Sequence, residues 1–473
     1  KFLVSGVGLA GHGVRVKMQC TTSDDCGWHA TCTSACVCEA YALFTHPVAD
    51  VGMGLLSFVI AGISLAAGVG GGGMFVPLLM MFLSFDAKIA TALSQSMLLG
   101  GAMAAFIYNL DHSHPHAPLR PLVDFQLACL MGATLMSGSQ IGSVLHAVAP
   151  PAVLLILLCI VLMDAARKGL ANARKIQAKE KEAPAASKEV VLEEASSESE
   201  DSSKESSSLA SFQASDHPEV VSRISDAKFK LFCIWIFCIA VVLCRNVVFK
   251  VCQVQWWALV VVSSLALGAF GIFYAQRLSK EVPADENCLD FRELAFPLTK
   301  WSFIAGILAA VCGIGGGMVM GPILVGLKVP PPVSSATTAT TLLVLSSSMC
   351  LVYICRGVAP KDYSIYLSVI TTFGALAGKV LIGRWVRRTG KDSVLVWALA
   401  GITIVSTILM GGLGIMRVYE NGLESFHLGT LCNDPDDQGS GAHVFKHNHQ
   451  GPVCGAGALA GGHAAGNATI GAR

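Results

Sequence analysis

Two strings in this chain have the makings of a binding site built from backbone: GVGGGGMFVP at positions 68–77 and GIGGGMVMGP at 313–322. Gly68 matches Gly313, Gly70 to Gly72 match Gly315 to Gly317, and Pro77 matches Pro322. Each glycine costs a helix interior roughly 1 kcal/mol relative to alanine, so a run of three or four cannot hold one. Yet both strings sit inside apolar runs, 51–85 and 303–327. Each run therefore reads as two half-helices joined by unwound backbone, broken at Gly70, Gly71, Gly72 and Gly73 and at Gly315, Gly316 and Gly317. A half-helix starting just after the glycines presents unsatisfied N–H groups and the positive end of its dipole. That is chemistry for an anion. Uncharged donors follow each string: Thr91, Ser94 and Gln95 after the first, and Ser334, Ser335, Thr337, Thr338, Thr340 and Thr341 after the second. Any one hydroxyl can instead bond its own helix, but the second group is dense.

The alternative for the glycines is helix packing. Packing motifs space small residues four apart, whereas these run together, and the duplication favours a site. Neither string ends in Gly-Lys-Ser or Gly-Lys-Thr, so neither is a phosphate loop. No HExxH, no Walker motif and no nucleophile–base arrangement is present, so the chain reads as no enzyme and needing no cofactor. Two lysines stand near apolar segments, Lys88 close to a span end and Lys379 inside residues 364–385. An ionisable residue within a span is a functional-site candidate; snorkelling toward the cytosolic end is its other reading.

These groups need a membrane to hold them. The chain of 473 residues is 53% hydrophobic and only 14% charged, with mean hydropathy +0.60; soluble domains carry about 25% charged residues. Many runs approach the roughly 20 residues a spanning helix requires. The pattern predicts an all-α polytopic membrane protein with about ten hydrophobic segments. The segments are 48–85 (broken), 88–110, 122–148, 152–166, 229–248, 256–274, 301–327 (broken), 333–355, 364–385 and 394–416. A broken segment at matching places in two halves points to a transporter's binding site.

The same residues resemble the sulfite exporter TauE/SafE family in its eukaryotic, plant-like form. The resemblance rests on the two glycine strings, on FDAKIATALS at 85–94, on FPLTKW at 296–301 and on VSSATT at 333–338, and covers about 48–168 and 229–416. It implies a secondary transporter, an exporter of sulfite, thiosulfate or small organosulfonates. The residues alone say small anion.

The remaining stretches divide the chain. Residues 1–46 carry Cys20, Cys26, Cys32, Cys36 and Cys38, an expected disulfide framework in an oxidising compartment. A zinc site using Cys36, Cys38 and His29 is the alternative. The first repeat is 48–168. Residues 169–228 open with basic side chains and become Ser- and Glu-rich, as in a disordered cytosolic linker; its serine tract reads either as a kinase substrate or as a plain spacer. Two connecting spans and a loop to residue 298 precede the second repeat, 299–416. The tail, 417–473, is Gly/His-rich, with Cys432 and Cys454 as a further candidate pair and Asn467 as a glycosylation acceptor. His112, His114 and His116, at alternate positions that could also ligate a metal, are expected to lie in a solvated loop interrupted by proline.

Basic residues at 167–181, 223–230 and 384–391 mark the cytosolic side. If each broken segment enters and returns, both termini lie outside and the two repeats are inverted, an arrangement that supports alternating access. Arg245 and Lys250, in a loop this places outside, are the dissent. The expected partners are the lipid bilayer, a small anionic substrate and a coupled proton or counter-ion, with no nucleic acid, in the plasma membrane or an endomembrane. A membrane adaptor or sensor acting through the Cys-rich ectodomain and acidic linker is the competing reading.

Overall fold

About 20 apolar residues carry a helix across a bilayer, and eight helices among the described residues meet that length and composition. The computed structural model describes residues 30–32, 38–40, 43–44 and 46–421, apart from 67, 69, 84, 115–116, 183–217, 250–252, 281–290, 328 and 390–392. The protein is an all-α, multi-pass integral membrane protein. Its buried surface is rich in Ala, Gly, Ser and Thr, while Leu265 and Ile408 are 67% and 68% exposed. That inversion of the soluble pattern follows from lipid as solvent, where apolar side chains face outward and small residues let helices approach.

The helices run in order α1 (Pro47–Ala66), α2 (Gly72–Phe82), α3 (Ala87–Leu110), α4 (Phe125–Val148) and α5 (Pro151–Glu182). They continue with α6 (Pro218–Leu243), a π-helical turn (Cys244–Val248) and α7 (Val254–Leu278). The set closes with α8 (Phe291–Cys312), α9 (Gly316–Gly326), α10 (Pro331–Cys355), α11 (Lys361–Thr389) and α12 (Ser393–Asn421). Each expected broken segment is indeed two helices, α1–α2 and α8–α9.

Several expected boundaries move. The polar loop expected to reach residue 298 ends earlier, because α8 begins at Phe291 and carries Pro297 inside it. Helix α5 continues to Glu182 and α6 starts at Pro218, so the stretch read as linker is helical at both ends. Its centre, with the serine tract, lies outside the described residues. The loop with His112 folds into a hairpin of β3 (Ser113–His114) and β4 (Ala117–Pro121).

The halves exchange partners. Helix α1 packs along α11, while α8 packs along α4, and α3 lies against α10. Glycines make the first two contacts close. A Cβ on Gly62 would stand 3.0 Å from the Gly374 carbonyl oxygen, and one on Gly142 would stand 2.6 Å from the Ile307 oxygen. These are the packing glycines, and they are spaced Gly374–Gly378 and Gly138–Gly142, four apart.

Both ends of the α1–α2 unit meet one residue. Tyr363 donates to Asp50 Oδ1 (3.0 Å) near the start of α1, and its ring contacts Phe85, just beyond α2 (centroids 5.3 Å apart).

The division between compact units falls at Thr45 and His46: one comprises Lys1–Thr45 and Pro435–Arg473, the other His46–Asp434. In the first, β1 (Ala30–Cys32) pairs antiparallel with β2 (Cys38–Ala40), placing Cys32 opposite Cys38 in the register. Cys20, Cys26, Cys36, His29, Cys432, Cys454 and Asn467 lie outside the described residues.

Candidate functional site

At the centre of the helical unit the two glycine turns meet. The backbone is left-handed at Gly68 (φ 77°), Gly70 (φ 90°) and Gly71 (φ 73°), and again at Gly313 (φ 70°) and Gly315 (φ 72°). Only glycine enters this region freely, which is why the turns demand it. A Cβ on Gly70 would meet Leu342 (2.9 Å) and Leu98 (3.0 Å), and a Cβ on Gly315 would meet the same two leucines at the same distances. A Cβ on Gly72 would stand 2.6 Å from the Ile314 carbonyl oxygen. The two turns therefore touch, and α3 and α10 clamp them through an equivalent pair of side chains.

The break sits earlier than the sequence suggested. Gly72 and Gly73 belong to the first turn of α2, and Gly316 and Gly317 to that of α9. Gly316 is helical, so no positive φ forbids a side chain there; a Cβ would press on Leu135 Cδ1 at 2.6 Å. The strict requirement rests on Gly315.

Breaking a helix strands carbonyls at its C-terminal end and amides at the next N-terminal end. The carbonyls are satisfied by side chains. At the end of α8, the Tyr353 hydroxyl donates to the Ala310 oxygen (3.1 Å) and Ser94 Oγ to the Gly313 oxygen (2.7 Å), while the Ala309 oxygen takes the Gly313 amide (2.9 Å) and a longer second donation from Gln95 Nε2 (3.4 Å). His146 Nδ1 lies 2.9 Å from the Val311 oxygen, which as an acceptor fixes that nitrogen as the protonated one. At the end of α1, Ser335 Oγ donates to the Ala66 oxygen (3.1 Å) and Thr338 Oγ1 to the Gly68 oxygen (2.7 Å). Each turn is thus held by hydroxyls from the other half.

Proline leaves one more carbonyl bare. Pro77 has no N–H for the Gly73 oxygen four residues back. Ser406 Oγ, from α12, donates to that oxygen instead.

The expected donor residues now sort by what they touch. Thr91, Ser94, Gln95, Ser335 and Thr338 all reach the crossing. Thr337 does not: it accepts the Asp124 N–H (3.2 Å) at the start of α4, on another face of α10. Thr341 donates to the Thr338 oxygen in its own helix (2.9 Å). The hydroxyls therefore shape the turns. The first amides of α2 and α9, at Gly72 and Gly73 and at Gly316 and Gly317, begin helices at the crossing and so lack an intrahelical acceptor.

One charge joins them. Lys379, on α11, is 7% exposed and donates from Nζ to Ser335 Oγ (3.1 Å). A Cβ on Gly68 would stand 2.6 Å from that same Ser335 Oγ, so the ammonium lies against the first turn. Among the described residues no carboxylate pairs with it. It is buried beside the turn, not snorkelling to an interface. Lys88, by contrast, caps the end of α4 by donating to the Ala147 oxygen (3.2 Å). Sequence reading missed Ser406, His146 and Tyr353, since each acts on a backbone atom far away in the chain. Only the proline at 77 hinted that a donor was required.

The sequence profile described as Sulfite exporter TauE/SafE matches residues 46–193 and 299–472. That match runs further into the linker and the tail than the motifs reached. Sulfite exporter TauE/SafE family protein 3 of Arabidopsis thaliana is 30% identical over 375 residues, 77% of this chain and 78% of that protein. Family protein 5 of the same plant is 27% identical over 387 residues, 77% of this chain and 83% of that protein. No solved structure matches. Two glycine turns in matched halves, and the profile that spans both, show that this chain belongs to the sulfite exporter TauE/SafE family.

Proposed function

We propose that the protein is a secondary exporter of small sulfur oxyanions (sulfite, thiosulfate or small organosulfonates), binding them where the glycine turns cross. As a member of an exporter family it is a transport protein and not an enzyme. The observation that carries the assignment is the division of hydrogen bonds at the crossing. Stranded carbonyls are capped by Ser94, Ser335, Thr338 and Tyr353, while the first amides of α2 and α9 lack an intrahelical acceptor and Lys379 stands against the first turn. A buried lysine without a carboxylate is costly, and a bound anion would neutralise it. Amides and one ammonium make a site strong enough to hold an oxyanion and weak enough to release it. A proton or counter-ion moving with the anion would complete the cycle.

The contacts also favour inverted repeats and alternating access. The start of α1 and the end of α2 both meet Tyr363, so the first broken segment enters and returns at one end. The start of α10, immediately after α9, meets Asp124 at the opposite end of α3. The two re-entrant pairs then open to opposite sides, with the crossing between them. On this reading both termini are extracytosolic and the centre of the linker is cytosolic. Protease cleavage of that linker from the outside of sealed vesicles would overturn the orientation.

Uptake of radiolabelled sulfite by vesicles containing the purified protein tests the function. We expect saturable uptake that thiosulfate inhibits and chloride does not. Uptake no faster than in protein-free vesicles, for every sulfur oxyanion tried, would remove the assignment.

A further inference from the structure

A second group of cations, Arg245 buried and Arg356 half-buried, lies where α6, α7 and α10 end or begin. Arg245 sits in the π-helical turn after α6 and is 0% exposed. Trp256, in the first turn of α7, is also 0% exposed. Arg356 caps the C-terminal end of α10. The two guanidinium carbons lie 5.3 and 5.5 Å from the centroid of the one Trp256 ring. Arg245 Nη1 donates to Gln140 Oε1 of α4 at 3.0 Å.

The remaining donors are unanswered. Nε and Nη2 of Arg245, Nε and Nη2 of Arg356 and Nε1 of Trp256 are all buried with no hydrogen-bond partner. Among the described residues no carboxylate pairs with either arginine. Every one of these groups is a donor, and two carry full charge. Removing an arginine from water costs several kcal/mol unless it is paired, and two near one ring also repel. A cation–π contact returns only about 2 kcal/mol when desolvated. The fork of N–H groups on a guanidinium matches the spacing of oxygens on an oxyanion. A π-helical turn is itself a feature that recurs at functional sites, and here it carries Arg245 inward while Val247 and Val248 stay exposed.

We propose that Arg245, Arg356 and Trp256 form a second anion site, separate from the glycine crossing, for an oxyanion group of the sulfate, sulfonate or phosphate class. The group is either a free ion or the headgroup of an anionic lipid; the chemistry of recognition is shared. The site does not depend on the transport assignment, since Lys379 and the glycine turns take no part in it.

The test uses the full-length protein purified in a neutral detergent. Its thermal midpoint is followed against sodium sulfate and sodium phosphate at matched ionic strength in chloride and, in a second arm, against phosphatidylglycerol in mixed micelles without added oxyanion. We expect a rise in at least one arm. Arg356→Gln should require roughly tenfold more ligand for the same rise, the loss of a charged hydrogen bond. Arg356→Lys should fall between. A rise with sulfate or phosphate assigns a free ion, and a rise with the lipid alone assigns a headgroup. Should Arg356→Gln fail to fold, Trp256→Phe keeps a ring, lacks the indole N–H and should show the same weakening. Equal responses of the parent and these variants in both arms, or no rise in either, would overturn the proposal, leaving buried water as what satisfies the donors.

Discussion

The two glycine turns are near-copies in backbone and unlike in charge. Gly70 and Gly315 both face Leu98 and Leu342, and each turn's carbonyl takes a hydroxyl from the opposite half, Thr338 on Gly68 and Ser94 on Gly313. Around the first turn stands Lys379. Around the second stand Gln95, His146 and Tyr353, committed to the three carbonyls at the end of α8. The glycine motif occurs twice, and the buried ammonium stands on one side alone. An anion at the crossing would therefore feel equal geometry from both turns but unequal field. On the proposed function, backbone symmetry would set where it binds and Lys379 how tightly.

The largest effect should come from the shared geometry. Gly70→Val or Gly315→Val puts a β-branched side chain at φ 90° or 72°, a conformation closed to such residues. Both are expected to abolish uptake while the protein still reaches the membrane, read by vesicle assay and surface labelling. Full activity in either variant would break the equivalence of the turns.

The charge comes next. Lys379→Met removes the ammonium without emptying the space, and should weaken oxyanion binding by about tenfold to a hundredfold, the range for a hydrogen bond to a charged group. The thermal midpoint of the ligand-free protein should stay level or rise, since an unpaired buried charge is removed. Unchanged affinity in isothermal titration would show that the asymmetry has no bearing on binding.

Smaller losses should fall on stability. Ser406→Ala strips the Gly73 oxygen of its donor and is expected to cost about 1–3 kcal/mol, the penalty for a buried group left unmade. Denaturation of the reconstituted protein measures it. A midpoint matching the parent would mean that water replaces the hydroxyl.

The mildest pair is the sharpest comparison. Thr338→Val and Ser94→Ala remove matched hydroxyls, each worth about 0.5–1.5 kcal/mol net. Their affinity losses should agree within a factor of about three, because each donor holds one turn. A large loss confined to Thr338→Val, which stands by the Lys379 side, would show that the hydroxyl contacts the anion directly.

Much of this was open to reading in one dimension. Glycine runs inside apolar stretches read as breaks, so α1–α2 and α8–α9 followed from the sequence, as did the membrane and the doubling of the motif. Boundaries set by weaker signals did not follow. The stretch up to residue 298 read as loop, yet α8 runs through its end from Phe291, with Pro297 inside the helix. The basic run after residue 166 looked like the start of a linker, yet α5 carries it to Glu182. Hydroxyls on α10 were legible as a cluster but not by face, so Thr337 was grouped with Thr338 although it turns to Asp124.

The sequence by itself determined the helices, their breaks and the chemistry of the break, because these depend on each residue's own backbone freedom and on its immediate neighbours. The tertiary structure alone decided where the donors are spent. Ser94 with Gly313, Thr338 with Gly68, Ser406 with Gly73 and Lys379 with Ser335 are each separated by tens to hundreds of residues. A stranded carbonyl in lipid must find a donor, but only the packing of α3, α10, α11 and α12 determines which one is near enough to give it.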